Sequence, residues 1–294
     1  MRWTTTRFDL DLSTPKVMGI VNLTPDSFSD GGHHADPATA LRHCEKLIRE
    51  GVDILDIGAE STRPGAVALD QAEELARLLP VVRSALGLGL PVSVDTYKPG
   101  VMQAVLDLGV DIINDVWALR WSGTASAGPD ATQVIARHPS CGVCLMHMHG
   151  VPATMQTAPL EGDAVSQVRL FLRQAAMQAQ QRGIARSRIV VDPGIGFGKT
   201  VVQNFELLAR QSELLSIGLP LLAGWSRKGS LAKVAGISSS PLSSAPMHQR
   251  TIASVTAAVL SVQRGASIVR VHDVLETVQA LRVLGAVEQG TSVQ

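Results

Sequence analysis

The apolar residues of this chain form short runs rich in β-branched side chains, separated by longer stretches with helical periodicity. The short runs predict eight strands, at Val17 to Val21, Ile54 to Ile57, Pro91 to Val94, Ile112 to Asn114, Gly142 to Met146, Arg188 to Val191, Pro220 to Ala223 and Ser267 to Val271. The helical patterns cover Ala38 to Glu50, Gln71 to Leu86, Gly100 to Leu108, Ala164 to Arg182, Asn204 to Leu215, Met247 to Arg264 and a segment near Val274 to Leu284. Strands that alternate with helices in this way predict parallel βαβ units.

The alternation also predicts the number of domains. Eight consecutive βα units favour one closed (β/α)₈ TIM barrel of the α/β class over an open sheet, and no linker interrupts them. We therefore expect a single domain over residues 1–294, with a core from about 15 to 286. Two segments, Trp121 to Asp130 and Ser238 to Pro246, are rich in small or turn-forming residues and are expected to be loops.

The charge balance narrows the class of partner. Lys and Arg number 26, as do Asp and Glu, so no global field favours nucleic acid or an anionic membrane. The uncharged helical stretch Thr251 to Gln263 is too short to span a bilayer. The alternating start, Met1 to Leu12, differs from a secretory signal. We expect a soluble cytoplasmic protein that binds small molecules.

Two patterns suggest metal or redox sites without completing one. Cys141 and Cys144 form a C-x-x-C inside a predicted strand, where residues three apart point to opposite faces. We interpret them as small buried side chains. His147 and His149 lie two apart, but no third ligand with suitable spacing is visible, so an ordinary hydrogen-bonding role is favoured.

Polar side chains cluster directly after the predicted strands. They are Asn22, Glu60 to Arg63, Asp95, Asn114, Asp115, His147, Asp192, Ser226 to Lys228 and His272, with Arg270 inside the last strand. The carboxyl ends of barrel strands meet at one mouth, where catalytic side chains collect. Any one of these residues is explained by a salt bridge or a helix cap, but their occurrence at every strand end favours an active site.

The residue types at this mouth predict a polar ligand with an anionic tail. Acceptors and donors for a heterocycle with adjacent N–H and C=O groups come from Asp95, Asp192, Asn114 and Lys228. Cations and hydroxyls for a phosphate or pyrophosphate come from Arg63, Arg270, His272, Ser61 and Thr62.

The segment from Asp192 to Thr200, DPGIGFGKT, resembles nucleotide-binding motifs but fails both of them. A phosphate-binding P-loop needs glycine where Pro193 stands, and a dinucleotide fingerprint that starts at Gly194 needs glycine where Lys199 stands. We interpret the glycines as letting the backbone pass close to a flat ligand, which Phe197 would cover.

Taken together, these segments resemble the dihydropteroate synthase family along almost the whole chain. MGIVNLTPDSFSDGG (Met18 to Gly32) is similar to the family's first loop and DIGAESTRPGA (Asp56 to Ala66) to its second. SVDTYKP, IINDV, CLMHMHG, DPGIGFGKT, AGWSRKG and VRVHDV follow in the family's order and spacing. So many ordered matches make the resemblance specific, beyond what a shared barrel would produce.

The resemblance implies roles for individual residues. The pterin ring would be bound by Asp95, Asn114, Asp192 and Lys228, in a pocket lined by Met146 and Phe197. The pyrophosphate would be bound by Asn22, Thr62, Arg63, Arg270 and His272, with Asn22 acting through Mg²⁺. The aminobenzoate would contact Thr62, Arg63, Pro64, Phe197, Lys228 and Gly229. The catalytic residues would be Asp95, Asp192, Lys228, Arg63 and Arg270.

The resemblance also implies a reaction and an assembly. The family displaces pyrophosphate from 6-hydroxymethyl-7,8-dihydropterin pyrophosphate with the amine of 4-aminobenzoate, giving 7,8-dihydropteroate for folate biosynthesis. The first two loops, with Gly or Pro at 25, 31, 32, 58, 64 and 65, are expected to close over the pyrophosphate. A homodimer is implied, and Thr251 to Gln263 with the last helix is a candidate interface, although burial as core is equally consistent.

One position departs from the family pattern. The family usually has serine after the SRK sequence, where its hydroxyl helps to hold the aminobenzoate carboxylate, but this chain has Gly229. The loss of one hydrogen bond to a charged group predicts an affinity for aminobenzoate, and for sulfonamide mimics, that is weaker by about 1.5 to 3 kcal/mol. Ser230 next to it is the alternative donor. Trp225 is expected to pack in the core at a strand end.

Two alternatives to the synthase follow from the same residues. A pterin-dependent methyltransferase resembles this family in its barrel and ring-binding residues, but it has no use for pyrophosphate-binding cations or for the TRPG loop. A pterin-binding paralogue without synthase activity is favoured only by Gly229.

Overall fold

The computed structural model describes residues 1–23, 37–61, 66, 68–121, 130–152, 154–237 and 250–290, and most of its strands form one parallel barrel. The strands are β1 (Arg2–Thr4), β2 (Asp9–Asp11), β3 (Lys16–Asn22), β4 (Ile54–Gly58), β5 (Val92–Asp95), β6 (Ile112–Asp115), β7 (Gly142–Met146), β8 (Ile189–Asp192), β9 (Leu222–Ala223) and β10 (Ile268–Val271). From β3 to β8 each strand pairs with the next, and β10 pairs with β3 and β9. A parallel bridge from Val191 to Leu221 closes the circle, so the predicted barrel is confirmed.

Helices surround this barrel and alternate with its strands. They are α1 (Pro37–Arg49), α2 (Gln71–Ala85), α3 (Pro99–Asp107), α4 (Ala131–Arg137), α5 (Ala164–Gln181), α6 (Val201–Ala209), α7 (Gly229–Val234), α8 (Thr251–Gln263) and α9 (Val274–Gln289). The largest buried apolar cluster lies between strands and helices, and it includes Leu55, Leu78, Met102, Leu172 and Val269. Among the described helices, none is both long enough and apolar enough to cross a membrane.

Several predicted boundaries differ from the structure. The helix predicted from Asn204 to Leu215 is two elements, because α6 ends at Ala209 and a 3₁₀ helix, Gln211–Ile217, follows it. Arg188 lies in a 3₁₀ turn before β8 and not in the strand. The short helices α4 and α7 were not predicted, because six or seven residues carry too little periodicity to identify a helix.

Local side-chain caps explain where several helices begin. Asp70 accepts a hydrogen bond from the backbone N–H of Glu73, 2.7 Å away, and Asp130 accepts one from Gln133 at the same distance. Thr200 and Gln203 form a reciprocal capping box at the start of α6. Such caps satisfy backbone donors that the first helical turn leaves without partners.

The hairpin of β1 and β2 covers the amino-terminal end of the barrel. Trp3 is fully buried there, and its Nε1 donates to the carbonyl of Arg188 at 2.9 Å. Arg7, between the two strands, pairs with the buried carboxylate of Asp111, 2.6 Å away. The sequence did not predict this hairpin, because the alternation from Met1 to Leu12 leaves only three paired residues in each strand, and the stability of such short strands comes from the barrel beneath them.

Every second residue of a barrel strand points into the interior, and here the interior has two distinct layers. The lower layer is apolar and consists of Met18, Ile54, Ile112, Cys144, Val190, Leu222 and Ile268, packed against Trp3 and Leu12. Two residues further along these strands are Ile20, Asp56, Asn114, Met146, Asp192, Gly224 and Arg270. A mainly polar layer therefore rests on an apolar floor at the carboxyl ends of the strands.

The same alternation separates the two cysteines of the C-x-x-C. Cys144 lies in the lower interior layer, whereas Cys141 packs in the cluster between strands and helices. Both are buried free thiols, and burial raises the pKa of Cys141 to about 12. The interpretation of this pair as structural side chains is confirmed.

Candidate active site

The polar layer lines a large open cavity at the mouth of the barrel. Most of the predicted site residues that the structure describes border it, namely Asn22, Asp95, Asn114, Met146, Asp192, Phe197, Lys228, Gly229, Arg270 and His272. Thr62, Arg63 and Pro64 lie outside the described residues. The predicted convergence of the strand ends at one mouth is therefore present for the described part of the site.

Arg270 connects two carboxylates at the centre of the mouth. Its Nε lies 2.6 Å from Oδ2 of Asp56, and its Nη2 lies 2.7 Å from Oδ2 of Asp95. Asn114 also donates to Oδ2 of Asp56, at 3.2 Å. The second oxygen of Asp56 is buried with no hydrogen-bond partner among the described residues. One cation is thus shared by two anions in a site with little solvent.

This arrangement changes the pKa of each group. Although burial opposes its charge, the carboxylates of Asp56 and Asp95 raise the pKa of Arg270, so the guanidinium stays protonated. Burial raises the pKa of Asp95 to about 7, against the attraction of Arg270 and with the repulsion of Asp56. Asp95 therefore titrates near neutrality, whereas an ordinary Asp is ionised well below it.

Asp192 is held by the segment that follows it. Its Oδ1 accepts a hydrogen bond from the backbone N–H of Gly194 at 2.7 Å, and the residue is 6% exposed. Burial raises the pKa of Asp192, while the Gly194 N–H and the cations of Lys228, Lys199 and Arg270 oppose this shift. These donors favour an ionised, acceptor-only carboxylate at the cavity wall.

The residues 193–198, here called the glycine-rich loop, contain glycines that the packing of the loop itself requires. Gly194 has φ +65°, and a Cβ there would stand 1.9 Å from the carbonyl oxygen of His147. Gly198 has φ +66°, and its Cβ would meet the carbonyl oxygen of His149 at 2.3 Å. These glycines allow close packing of the loop on the chain after β7. Gly194 also borders the cavity, and the proximity of the backbone to a flat ligand stays a prediction.

Phe197 and Lys228 form one wall of the cavity. The ammonium nitrogen of Lys228 lies 4.4 Å from the centroid of the Phe197 ring, within cation–π range. Phe197 belongs to a buried cluster with Tyr97, Val116 and Met146. An apolar wall next to carboxylates and an ammonium suits a flat heterocycle with polar edges.

A second set of groups lies at the ends of β3 and β10. Ser226 Oγ lies 3.0 Å from Nδ1 of His272 and accepts the backbone N–H of the same histidine at 3.1 Å. Asn22 ends β3 opposite Gly58. Arg227, with φ +59°, pairs with Asp273 at 2.7 Å. Together with Arg270, His272 and Asn22 offer the cation and donor set that an anion requires.

Gly229 begins α7 beside the Phe197 wall. A Cβ at this position would meet no atom of the described residues within 4 Å, so this part of the site has room for a side chain. The neighbouring Ser230 is 8% exposed, and its Oγ accepts a hydrogen bond from Asn204 at 3.0 Å. Ser230 is therefore already part of a buried contact.

Asp56 was not among the predicted site residues, and neither were the partners of Glu60 in a buried ion network. Asp56 lies inside β4, and only the pairing of a strand carboxylate with a strand arginine, Arg270, would have indicated it. Lys98 donates to both Glu60 and Glu74, and Tyr97 donates to Glu60 at 2.7 Å. This network holds Glu60 inside the predicted second loop.

The histidines after β7 have no partners for a metal site among the described residues. Among the described residues, no group of three or more His, Cys, Asp or Glu side chains could hold a metal ion. His147 is 5% exposed, packs edge-on against Phe171, and its Nδ1 has no hydrogen-bond partner among the described residues. Burial lowers the pKa of His147 to about 2, so it is neutral. The predicted hydrogen-bonding role is wrong for Nδ1.

Trp225, by contrast, is buried in the core as predicted, against Phe205.

The known proteins that match this chain in sequence and those that match it in fold belong to the same family. The chain matches the pterin binding enzyme family over residues 18–272. It is 46% identical to a dihydropteroate synthase of Neisseria meningitidis, covering 96% of this chain and 95% of the relative. Its structure resembles Xanthomonas albilineans dihydropteroate synthase with 4-aminobenzoic acid (TM-score 0.87, 44% identity, 98% of both chains). It also resembles Burkholderia cenocepacia dihydropteroate synthase complexed with 7,8-dihydropteroate (TM-score 0.84, 43% identity, 98% and 97% of the chains). The chain therefore belongs to the dihydropteroate synthase family of pterin-binding enzymes.

Proposed function

We propose that this protein condenses 6-hydroxymethyl-7,8-dihydropterin pyrophosphate with 4-aminobenzoate, giving 7,8-dihydropteroate and pyrophosphate. The observation that carries the proposal is the layer in which Asp95, Asn114, Asp192 and Arg270 share one barrel mouth with Lys228. In the reaction a C–O bond to pyrophosphate breaks, a C–N bond to the amine forms, and the amine proton leaves to solvent. No covalent enzyme intermediate is required.

The pterin would lie between the Phe197 wall and the carboxylates. Asp95 and Asp192 accept N–H groups of the ring, and the amide of Asn114 both donates and accepts. Lys228, above Phe197, donates to a ring acceptor from the opposite side. Ionised carboxylates close to the ring also stabilise the electron-poor carbon that forms as pyrophosphate departs.

The leaving group would be bound by Arg270 and His272, together with Thr62 and Arg63. Charge-assisted hydrogen bonds from these groups stabilise the pyrophosphate as its negative charge grows. Asn22 supplies one neutral oxygen, which fits Mg²⁺, because this ion keeps several waters and takes other ligands from phosphates. Bound Mg²⁺ would add charge neutralisation at the pyrophosphate oxygens.

The aminobenzoate would occupy the space next to Phe197, Lys228 and Gly229, bordered by Thr62, Arg63 and Pro64. The ammonium of Lys228 and the backbone N–H at the start of α7 suit a carboxylate. Sulfonamide mimics of aminobenzoate would compete for the same space.

We also propose a homodimer that works in the cytoplasm. The helices α8 and α9 pack together and expose large apolar side chains at Ile252, Leu275, Val283 and Val287, which are 81%, 42%, 66% and 74% exposed. Exposed apolar groups of this kind favour a self-complementary contact. Sedimentation should give twice the chain mass, and Val287→Glu should lower the measured mass.

The three buried free cysteines suit a reducing compartment, which cell fractionation tests.

The experiment that tests the reaction measures pyrophosphate release from the pterin substrate with Mg²⁺, with and without 4-aminobenzoate. Asp95→Asn should lower kcat/KM about 100-fold or more. Asp9→Asn, an exposed carboxylate of the hairpin at the opposite end, is the matched control and should behave like wild type. Pterin binding without release would support an inactive paralogue, and methyl transfer from a methylated pterin would support a methyltransferase.

A further inference from the structure

Lys199 is a buried cation that the proposed chemistry does not use. It is 2% exposed and follows the glycine-rich loop directly. Its ammonium donates to the carbonyls of Gly194 at 2.8 Å, Phe197 at 3.1 Å and His147 at 3.4 Å. Among the described residues no carboxylate forms an ion pair with it. Its three N–H donors are therefore matched by three backbone acceptors.

These three carbonyls belong to segments that line the proposed pterin pocket. Gly194 is the residue whose N–H holds Asp192, and Phe197 is the wall beneath Lys228. His147 follows Met146, another lining residue. The positive φ angles of Gly194, Gly196 and Gly198 shape a tight loop whose carbonyls converge on one point. A cation at that point joins the loop to the end of β7.

We propose that Lys199 is a positioning residue for the pterin, whose ammonium holds the glycine-rich loop so that Asp192 is oriented and Phe197 is in place. The proposal rests on the synthase function but concerns pterin binding alone. Lys199 does not touch the substrate in this scheme; it acts through Asp192 and Phe197. Its charge also favours the ionised form of Asp192.

The charges around the glycine-rich loop couple Lys199 to Asp192. Burial lowers the pKa of Lys199 to about 7, against the attraction of Asp192 and with the repulsion of Lys228. The groups that face this pair are Lys228, Arg270, the neutral His147 and the thiol of Cys144, whose pKa burial raises well above its ordinary value. Loss of the Lys199 charge raises the pKa of Asp192, because one of the cations that oppose its protonation is gone.

The test compares Lys199→Met with wild type by calorimetry of pterin pyrophosphate binding across pH, without aminobenzoate. We expect the dissociation constant to rise about 10- to 100-fold, as for the loss of hydrogen bonds from a buried cation. The acid limb of the affinity profile should move to higher pH, because Asp192 then remains protonated up to a higher pH. Lys199→Arg, which keeps the charge, should return that limb towards its wild-type position.

Two controls separate positioning from general destabilisation. Gln211→Met removes a buried hydrogen bond to the carbonyl of Ser261, 2.7 Å long, which joins the 3₁₀ helix after α6 to α8 and not to the glycine-rich loop, so stability should fall without a shift of the pH profile. Inorganic pyrophosphate should bind Lys199→Met as it binds wild type, since Arg270 and His272 are unchanged. The bond from Gly196 N–H to Asn204, 2.8 Å, gives the loop a second anchor in the variant.

If Lys199→Met does not fold, Lys199→Gln carries the same test, because it keeps two donors and removes the charge. The assignment would be overturned if a variant without the charge kept the pterin affinity and the pH profile of wild type. The synthase function would stay intact in that case, provided that wild type turns over. A wild-type protein that binds pterin normally but releases no pyrophosphate would overturn the function without touching Lys199.

Discussion

Arg270 and Asp95 join two strands that are not neighbours in the barrel, with Nη2 of the arginine 2.7 Å from Oδ2 of the carboxylate. The same guanidinium holds Asp56 on a third strand. This sharing leaves the cluster with one more anion than cation when both carboxylates are ionised. Burial, together with the repulsion of Asp56 and against the attraction of Arg270, explains why Asp95 takes up a proton more readily than an isolated Asp.

The first prediction concerns Asp56→Asn. Removing this anion lowers the pKa of Asp95 from its value of about 7, because the repulsion of Asp56 is one cause of the raised pKa. The ionised Asp95 that accepts a pterin N–H then persists to lower pH, so the acid limb of pterin affinity should move downward. Stability should fall by about 3 to 5 kcal/mol, since Arg270 loses a buried partner.

A matched control for Asp56→Asn is available at the opposite end of the barrel. Asp111 is equally buried and pairs with Arg7 at 2.6 Å, so Asp111→Asn breaks a similar ion pair away from the pterin. Denaturant unfolding and pH-dependent pterin binding should be measured for both variants. A shift of the acid limb in both, or in neither, would contradict the role assigned to Asp56.

The second prediction concerns Gly229→Ser. The position has space for a side chain, and a hydroxyl there would add one hydrogen bond to a carboxylate, about 1.5 to 3 kcal/mol, which is roughly a 10- to 100-fold gain in aminobenzoate affinity. Gly229→Ala fills the same space without the hydroxyl and should show no comparable gain. Calorimetry with pyrophosphate and Mg²⁺ present measures the constants, and equal values for the two variants would refute the prediction.

The third prediction concerns the pH dependence of stability at His147. The pKa of this residue is about 2 in the folded protein and near 6.5 when unfolded, so below pH 6.5 the unfolded chain binds the extra proton. The neutral imidazole therefore contributes fully to the unfolding free energy above pH 6.5. This contribution is lost as the pH falls, at up to about 1.4 kcal/mol per pH unit. His147→Phe removes this contribution.

The measurement is the difference in unfolding free energy between wild type and His147→Phe at several pH values from 7 to 4. Asp95 and Asp115, whose pKa values burial raises to about 7, titrate in both proteins, so their effects cancel in the difference. The unfolding free energy of the wild type should fall progressively relative to that of His147→Phe as the pH decreases. Parallel curves would mean that folding does not lower the pKa of His147.

The sequence was sufficient for the barrel and for most of the described site, for a physical reason. Strands buried on both faces give continuous apolar runs, and a polar residue at the end of such a run is visible as an exception, as with Asp95 and Asp192. The resemblance to a known family then assigned their roles.

The residues that were missed have partners that no local pattern shows. Asp56 is paired by Arg270, which is 214 positions away, and Lys199 is held by backbone carbonyls, which carry no sequence signal. The glycines of the 193–198 loop pack against the chain after β7, a contact that only the tertiary structure brings together. The predictions for Thr62, Arg63 and Pro64 stay predictions, because these residues lie outside the described part of the chain.

The last prediction concerns the hairpin that closes the barrel floor. Trp3→Ala removes a fully buried side chain from the lower interior layer and should lower the unfolding free energy by about 3 to 5 kcal/mol. Trp3→Phe keeps most of the packing but loses the 2.9 Å bond to the Arg188 carbonyl, so its loss should be smaller. Both variants should bind pterin pyrophosphate like wild type under conditions where they are folded, because the polar layer is carried by the strands above. Weaker pterin binding by folded Trp3→Phe would show instead that the apolar floor sets the position of Asp56 and Arg270, and with them the geometry of the site.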